Sequence, residues 1–385
     1  MTTAASPSWS AARRGYRAVL TLEPGAAPPN MEPGPLVGAW ARWRTEGLRP
    51  DLDPHDYDAW CEAFGWDPWP RQFSLERPKA PLYEEAVVAE DATTVTRRLS
   101  DGSVIRDGKG AGKSIYQTVK PAVATEEDWR RLKAWLDVDA PPAASGDPWA
   151  EAVFARARAC PLPMSLSAGS LLGMPRNWLG FEEFAVRQIE DPDALEDMVE
   201  TCCRAAEWRI RSFGENGVAV DVVHFWEDIC YKNGPMVTPD FFGRVARPRY
   251  RRIADLCRRY GYPALSVDSD GDISALLEGW LAGGVNHLNP LEAQAGMDVN
   301  DIQRRCGRRA SLAGGIHKYR LAEGEKAIAG ELRRVRPAVE NGGYIPMLDH
   351  NVPADVPLAH YLVYCRLKRE ILGIGRPFDP SRALA

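Results

Sequence analysis

Five apolar, strand-like stretches in the second half of the chain each end in charged or polar side chains. AVDVVHFW (219–226) is followed by Glu227 and Asp228, and PALSV (263–267) by Asp268, Asp270 and Asp272. GVNHLNPL (284–291) is followed by Glu292, RASLAGGI (309–316) by His317 and Lys318, and GYIPML (343–348) by Asp349 and His350. Polar groups gathered at the same end of successive parallel strands face one mouth, and in a (β/α) barrel that mouth is the active site. Helix signals fill the intervals. Asp191-Pro192 starts an apolar stripe of Leu195, Met198, Val199, Cys202, Ala206 and Ile210, and Thr238-Pro239 repeats the device. Asp272 caps the next helix and Asp298 another. Strands alternating with helices predict βαβ units and a parallel sheet.

The spacing predicts an α/β fold, a (β/α)8 TIM barrel with an N-terminal extension and a small antiparallel flap. Two regions are expected. Residues 1–150 hold the helical extension, the first barrel elements and the flap, and 151–378 form the barrel body with its cleft. Six strands are evident in 160–350, counting PMSLSAG (163–169), and the others are expected in 30–150. VVAED, TTVTRRL, SVIRD and SIYQTV, with an Asp101-Gly102 turn, make the flap. GAGK (110–113) lacks the frame of a phosphate loop.

A net charge of −5, with arginines spread along helices, gives no reason to expect nucleic acid as a partner. No apolar run reaches the roughly 18 residues of a membrane span. The eight cysteines have no CxxC spacing and read as reduced and buried. A cytoplasmic enzyme with a small-molecule substrate is the expectation.

The stretch from Trp40 to about Leu372 resembles the uroporphyrinogen decarboxylase superfamily. The resemblance rests on the order and spacing of RWRTEGL (42–48), ATEEDWRRLKAWL (124–136), WEDICYKNGPMVTPDFF (226–242), VDSDGDI (267–273), NPLEAQAGMDV (289–299), LAGGIHK (312–318) and GGYIPMLDHNVPADVP (342–357). It implies a (β/α)8 barrel, possible homodimers, and one of two chemistries. One is cofactor-free decarboxylation of a tetrapyrrole. The other is methyl transfer between a corrinoid and a thiol on zinc, held by a His-x-Cys pair and a last-strand Cys. In alignment that pair falls on Asp268 and Asp270, and the last Cys on His350. The decarboxylases' spacing of His to Pro is kept in His350 and Pro357. Soft thiolates are missing, as are the decarboxylases' Arg-x-x-x-Arg and catalytic Asp.

The candidate catalytic residues are therefore His350, Asp268, Asp270 and Glu227. Asp268, Asp270 and His350, with Glu292, are the candidate ligands of a divalent metal such as Zn, Mn or Fe; without metal no cofactor is expected. Asp268 and Asp270, two apart on a strand, share a face; the plainer alternative is a polar turn. Lys232, Tyr231, Arg176, Trp178 and His317 are candidate substrate contacts. Of the adjacent Glu227 and Asp228, at most one faces the pocket. His224 and His287, inside strands, read as satisfied core histidines, and the 13 tryptophans mostly as packing. The leading functional expectation is a decarboxylase-type carbon–carbon lyase, with Arg or Lys holding a carboxylate and His350 or an Asp protonating carbon. The alternative is a methyltransferase or demethylase with a corrinoid protein partner and an Asp/Asp/His metal site. A non-catalytic binding protein is the third reading.

Overall fold

A computed structural model describes residues 10–53, 55–109 and 116–385. The GAGK segment lies outside the described residues. Strand β1 (Arg71–Phe73) opens a parallel sheet. The flap follows as β2 (Ala86–Glu90), β3 (Thr94–Arg98), β4 (Val104–Gly108) and β5 (Gln117–Lys120), an antiparallel sheet in sequence order. At its tip Gly102, at φ +92°, turns the chain while Asp101 accepts from the Ser103 amide at 2.9 Å. The parallel sheet resumes with β6 (Met164–Gly169) and β7 (Val222–Trp226). A small hairpin, β8 (Cys230–Tyr231) with β9 (Gly234–Pro235), interrupts it. Then come β10 (Ala264–Asp268), β11 (His287–Leu291), β12 (Ser311–Ile316) and β13 (Tyr344–Leu348).

The parallel order is β1-β6-β7-β10-β11-β12-β13. Each successive pair is joined by a chain segment carrying helices packed outside. In the helix Pro192–Glu215, Asp191 accepts from the Ala194 amide, and Leu195, Met198, Val199, Cys202, Ala206 and Ile210 are all buried. Each large member of that stripe contributes about 1.5–3 kcal/mol of burial. Gly314, at φ +94°, is required by close strand approach: a Cβ there would lie 2.7 Å from the Leu291 amide nitrogen.

The curl is not completed by a ladder. Seven strands pair in parallel, one fewer than the predicted eight, and no ladder among the described residues joins β13 to β1. In the gap lies the stretch 30–36. Its Gly34 carbonyl accepts from Val352, and the Leu36 amide donates back to the Val352 carbonyl at 2.9 Å. Buried Glu32 clamps it, accepting from the Leu348 amide at 3.0 Å, the Tyr364 hydroxyl and Lys368 Nζ. The opposite flank is tied through Asn30 and Asp67. Helix Ala11–Leu20 closes the end of the barrel at the strand starts, where Arg13 and Arg17 bind buried Asp221 at 2.8 and 2.7 Å. Among the described residues no helix is long and apolar enough to cross a membrane.

Candidate active site

The interior of the parallel sheet is divided: Val222, Ala313, Ile345 and Met347 form an apolar part, and the rest is polar. Ser165, His224, Ser266, Asp268, His287 and Asn289 line an interior cavity of about 230 Å³. Register sets Asp268 level with Trp226 on one side and Asn289 on the other. A hydrogen-bonded chain results. His224 Nδ1 meets Ser266 Oγ at 3.3 Å, Ser266 donates to Asn289 Oδ1 at 3.0 Å, and Asn289 Nδ2 donates to Asp268 Oδ2 at 3.2 Å. His224 Nε2 is 3.9 Å from the same carboxylate oxygen. His287 Nδ1 pairs with Ser311 Oγ at 2.8 Å. Burial pushes His224 down to about 4, and burial with neighbouring His224 pushes His287 down to about 3. Both imidazoles are neutral at physiological pH. The expected histidine hydrogen bonds are present, but the two rings face a cavity rather than a filled core.

At the strand ends three carboxylates converge. Oxygens of Asp228, Asp268 and Asp270 all lie within 4.8 Å of one another. The Glu227 amide donates to the Asp268 carbonyl at 2.7 Å, carrying strand-like pairing one residue past β7. Asp228 then takes φ +45°, a left-handed turn uncommon for a residue with a side chain. Arg176 Nη1 donates to the Asp228 carbonyl and fixes that turn. Asp268 is held well above the usual carboxylate range by burial, then by Asp228 and Asp270. Asp270 is pushed up to about 6 by burial, Asp228 and Glu292, with Lys318 opposing. Like charges this close cannot all ionise without a bound cation or proton.

The rim adds more acid. Glu292 accepts from the Gly271 amide at 2.8 Å, and Asp349 accepts from the amides of Ala293 and Lys318. Burial raises Asp349, with Lys318 the main opposing charge. Burial and Lys318 lower His350, while Glu292 and Asp228 raise it. His350 Nδ1 accepts from the Asn351 amide at 2.8 Å, so a neutral ring carries its proton on Nε2.

Several expected roles change here. His350 does not belong to the three-carboxylate group; Asp228 takes that place. Glu227 is wholly enclosed and does not face the mouth. It accepts from the amides of Leu171 and Leu172 at 2.8 Å, Gly173 at 3.1 Å, the Ser170 hydroxyl at 2.8 Å, and the Tyr250 hydroxyl. It anchors the start of helix Gly173–Leu179. Trp178 is buried against Trp129 at 5.7 Å, lining a small pocket with Gly169, Ser170 and Trp226. Tyr231 and Lys232 stand exposed on the small hairpin, Tyr231 edge-on to Phe181 at 5.7 Å. The His317 amide donates to Glu331 at 2.8 Å, its ring beside Tyr319. Sequence reasoning weighed Asp228 against Glu227 and chose Glu227 as the catalytic candidate; it missed Ser266 and Asn289. The signal for the last two is polar residues at alternate positions, Ser266-x-Asp268 and His287-x-Asn289, in otherwise apolar strands.

No known family's sequence model matches this chain. No curated protein matches it either. Among solved structures, it is similar in fold to a methyltransferase from Methanosarcina mazei, with a TM-score of 0.57 over 93% of this chain and 98% of that one. Sequence identity is 14%, so the likeness is one of fold.

Proposed function

We propose that this protein is a methyltransferase-type enzyme whose mouth holds a divalent cation on Asp228, Asp268 and Asp270. The observation that carries the reading is the meeting of those three carboxylates at the strand ends, with Asp268 also lining the interior cavity. An all-oxygen donor set fits a hard cation such as Mg²⁺, Mn²⁺ or Fe²⁺ better than thiolate-bound zinc. Bound there, the ion supplies Lewis-acid activation of a nucleophile or leaving group. Asn289 and His224 orient Asp268. His350 offers its Nε2–H to substrate. A corrinoid protein is the methyl donor or acceptor consistent with the family resemblance. The methyltransferase of similar fold supports methyl transfer over decarboxylation. We also read the clamped stretch 30–36 as the eighth stave of a (β/α)8 barrel.

Electrostatics weighs against carbon–carbon lyase chemistry. A carboxylated substrate needs cations at the reacting end. This mouth presents Asp228, Asp268, Asp270 and Glu292, with Lys318 as the cation acting on Asp270.

The test is metal content by elemental mass spectrometry, wild type beside Asp228→Asn and Asp268→Asn, each checked by thermal melting. Near-stoichiometric divalent metal is expected in the wild type and is lost in both variants with the fold intact. Wild-type protein that stays metal-free after reconstitution refutes the reading. Demethylation of methylcobalamin, followed by absorbance, then tests the transfer.

A further inference from the structure

The seam between β1 and the stretch 30–36 holds a second pocket, open to solvent, of about 630 Å³. That is within the roughly 300–1,000 Å³ of small-molecule sites. Its walls are ring surfaces: Trp40, Tyr57, Trp60 and Trp69, with Pro35 and Pro70. The walls are braced from behind. Trp60 packs against Trp40 at 5.7 Å and Phe64 at 4.0 Å, and the Tyr57 hydroxyl donates to the Glu32 carbonyl. Trp69 is half-buried and meets Tyr57 edge to face at 6.3 Å. The charged wall residue, Arg71, has its guanidinium on Asp58. Rings and prolines with a neutralised cation suit an uncharged flat group through dispersion and edge-to-face contact. The seam cavity and the interior cavity share three wall residues, Trp69, Pro70 and Gln72.

We propose that the seam cavity binds the flat ring of a neutral aromatic small molecule whose polar substituent reaches past Trp69 toward His224, Asn289 and Asp268. This names a substrate class for the centre proposed above and rests on that reading for the polar end; the ring subsite stands on the seam alone. The interior supplies a hydrogen-bonded series, His224, Ser266, Asn289 and Asp268, that the polar end can join. Trp69, as the shared wall, sets the passage between the two.

The test uses 2-naphthol as probe, titrated into the full chain by calorimetry and tryptophan fluorescence. Gly34→Leu fills the seam without removing packing. Gly34 lies on the seam wall outside the left-handed region, and a Cβ there meets nothing within 4 Å. Saturable one-to-one binding is expected in the wild type, weakened at least about tenfold by Gly34→Leu and by Trp69→Ala, with the Gly34→Leu melting temperature held. Asp228→Asn should retain 2-naphthol while losing metal, so failure of the metal centre and failure of the ring subsite register separately. No saturable binding in the wild type, or wild-type affinity in Gly34→Leu, overturns the proposal.

Discussion

Replacing Glu227 separates anchoring from catalysis. Five donors converge on this enclosed carboxylate, three of them backbone amides and two of them hydroxyls that can turn. Burial nonetheless raises its pKa, so desolvation outweighs the five bonds combined. Glu227→Gln keeps the shape but must set its NH2 against donors. The least costly orientation puts the NH2 where Oε1 stood, facing the Leu171 amide and the Tyr250 hydroxyl. Tyr250 can rotate to accept, and the Leu171 amide cannot. One buried amide left unsatisfied costs about 1–3 kcal/mol. Glu227→Ala abandons all five donors and opens a cavity, for about 3–5 kcal/mol. With about 2.1 cal/mol/K of unfolding entropy per residue, a chain of 385 residues drops about 1 °C for each kcal/mol. Scanning calorimetry should therefore show Glu227→Gln melting about 1–4 °C lower and Glu227→Ala about 4–6 °C lower. Metal content and turnover per folded molecule should hold in Glu227→Gln. Turnover abolished with an unchanged melting temperature would return Glu227 to the reaction and refute the argument.

His287 makes stability pH-dependent. Its folded pKa of about 3 lies below the unfolded value of roughly 6.5, so the unfolded chain binds the proton first as pH falls. The contribution is complete above that unfolded value and is lost toward pH 3, reaching at most about 2 kcal/mol at pH 5. His287→Gln should flatten the fall in urea midpoint between pH 7 and 5; an unaltered slope would contradict a neutral buried ring. Lys368→Met leaves Glu32 buried without its counter-charge and should cost about 3–5 kcal/mol, partly recovered in the Glu32→Gln/Lys368→Met double variant. A single variant within 1 kcal/mol of wild type in urea unfolding would show that the clamp does not hold the stave.

The second half of the sheet was legible because each of its strands is largely apolar, ends in acids or histidine, and is followed by a helix. Asp272, expected to cap the next one, bonds the Ser274 amide instead, and helix Leu277–Gly283 starts without a side-chain cap. Local chemistry carries that information. The segment that fills the gap in the sheet was not legible. The stretch 30–36 is proline-rich and fixed by Glu32 on Lys368, a contact spanning 336 residues that no local pattern encodes. β1 is three residues long and offers no alternation to read. Of the acid pair after β7, the choice between Glu227 and Asp228 depends on the ladder running one residue past the strand and on the left-handed turn that follows. The spacing around His350 placed it at the correct strand end. Its Nδ1 is committed to the Asn351 amide, a bond that spacing alone does not encode.

The unpaired seam also bears on self-association. An interrupted parallel ladder leaves two free margins, and free margins template strand addition by other chains. Here one margin, β1, is only three residues long and is preceded by Pro70, and the other, β13, is flanked by the stretch 30–36, which carries Pro33 and Pro35. Proline offers no amide hydrogen to a newcomer, and a run that short gives little register. The same residues that leave the barrel open at its side therefore keep that side from recruiting a neighbour's strand.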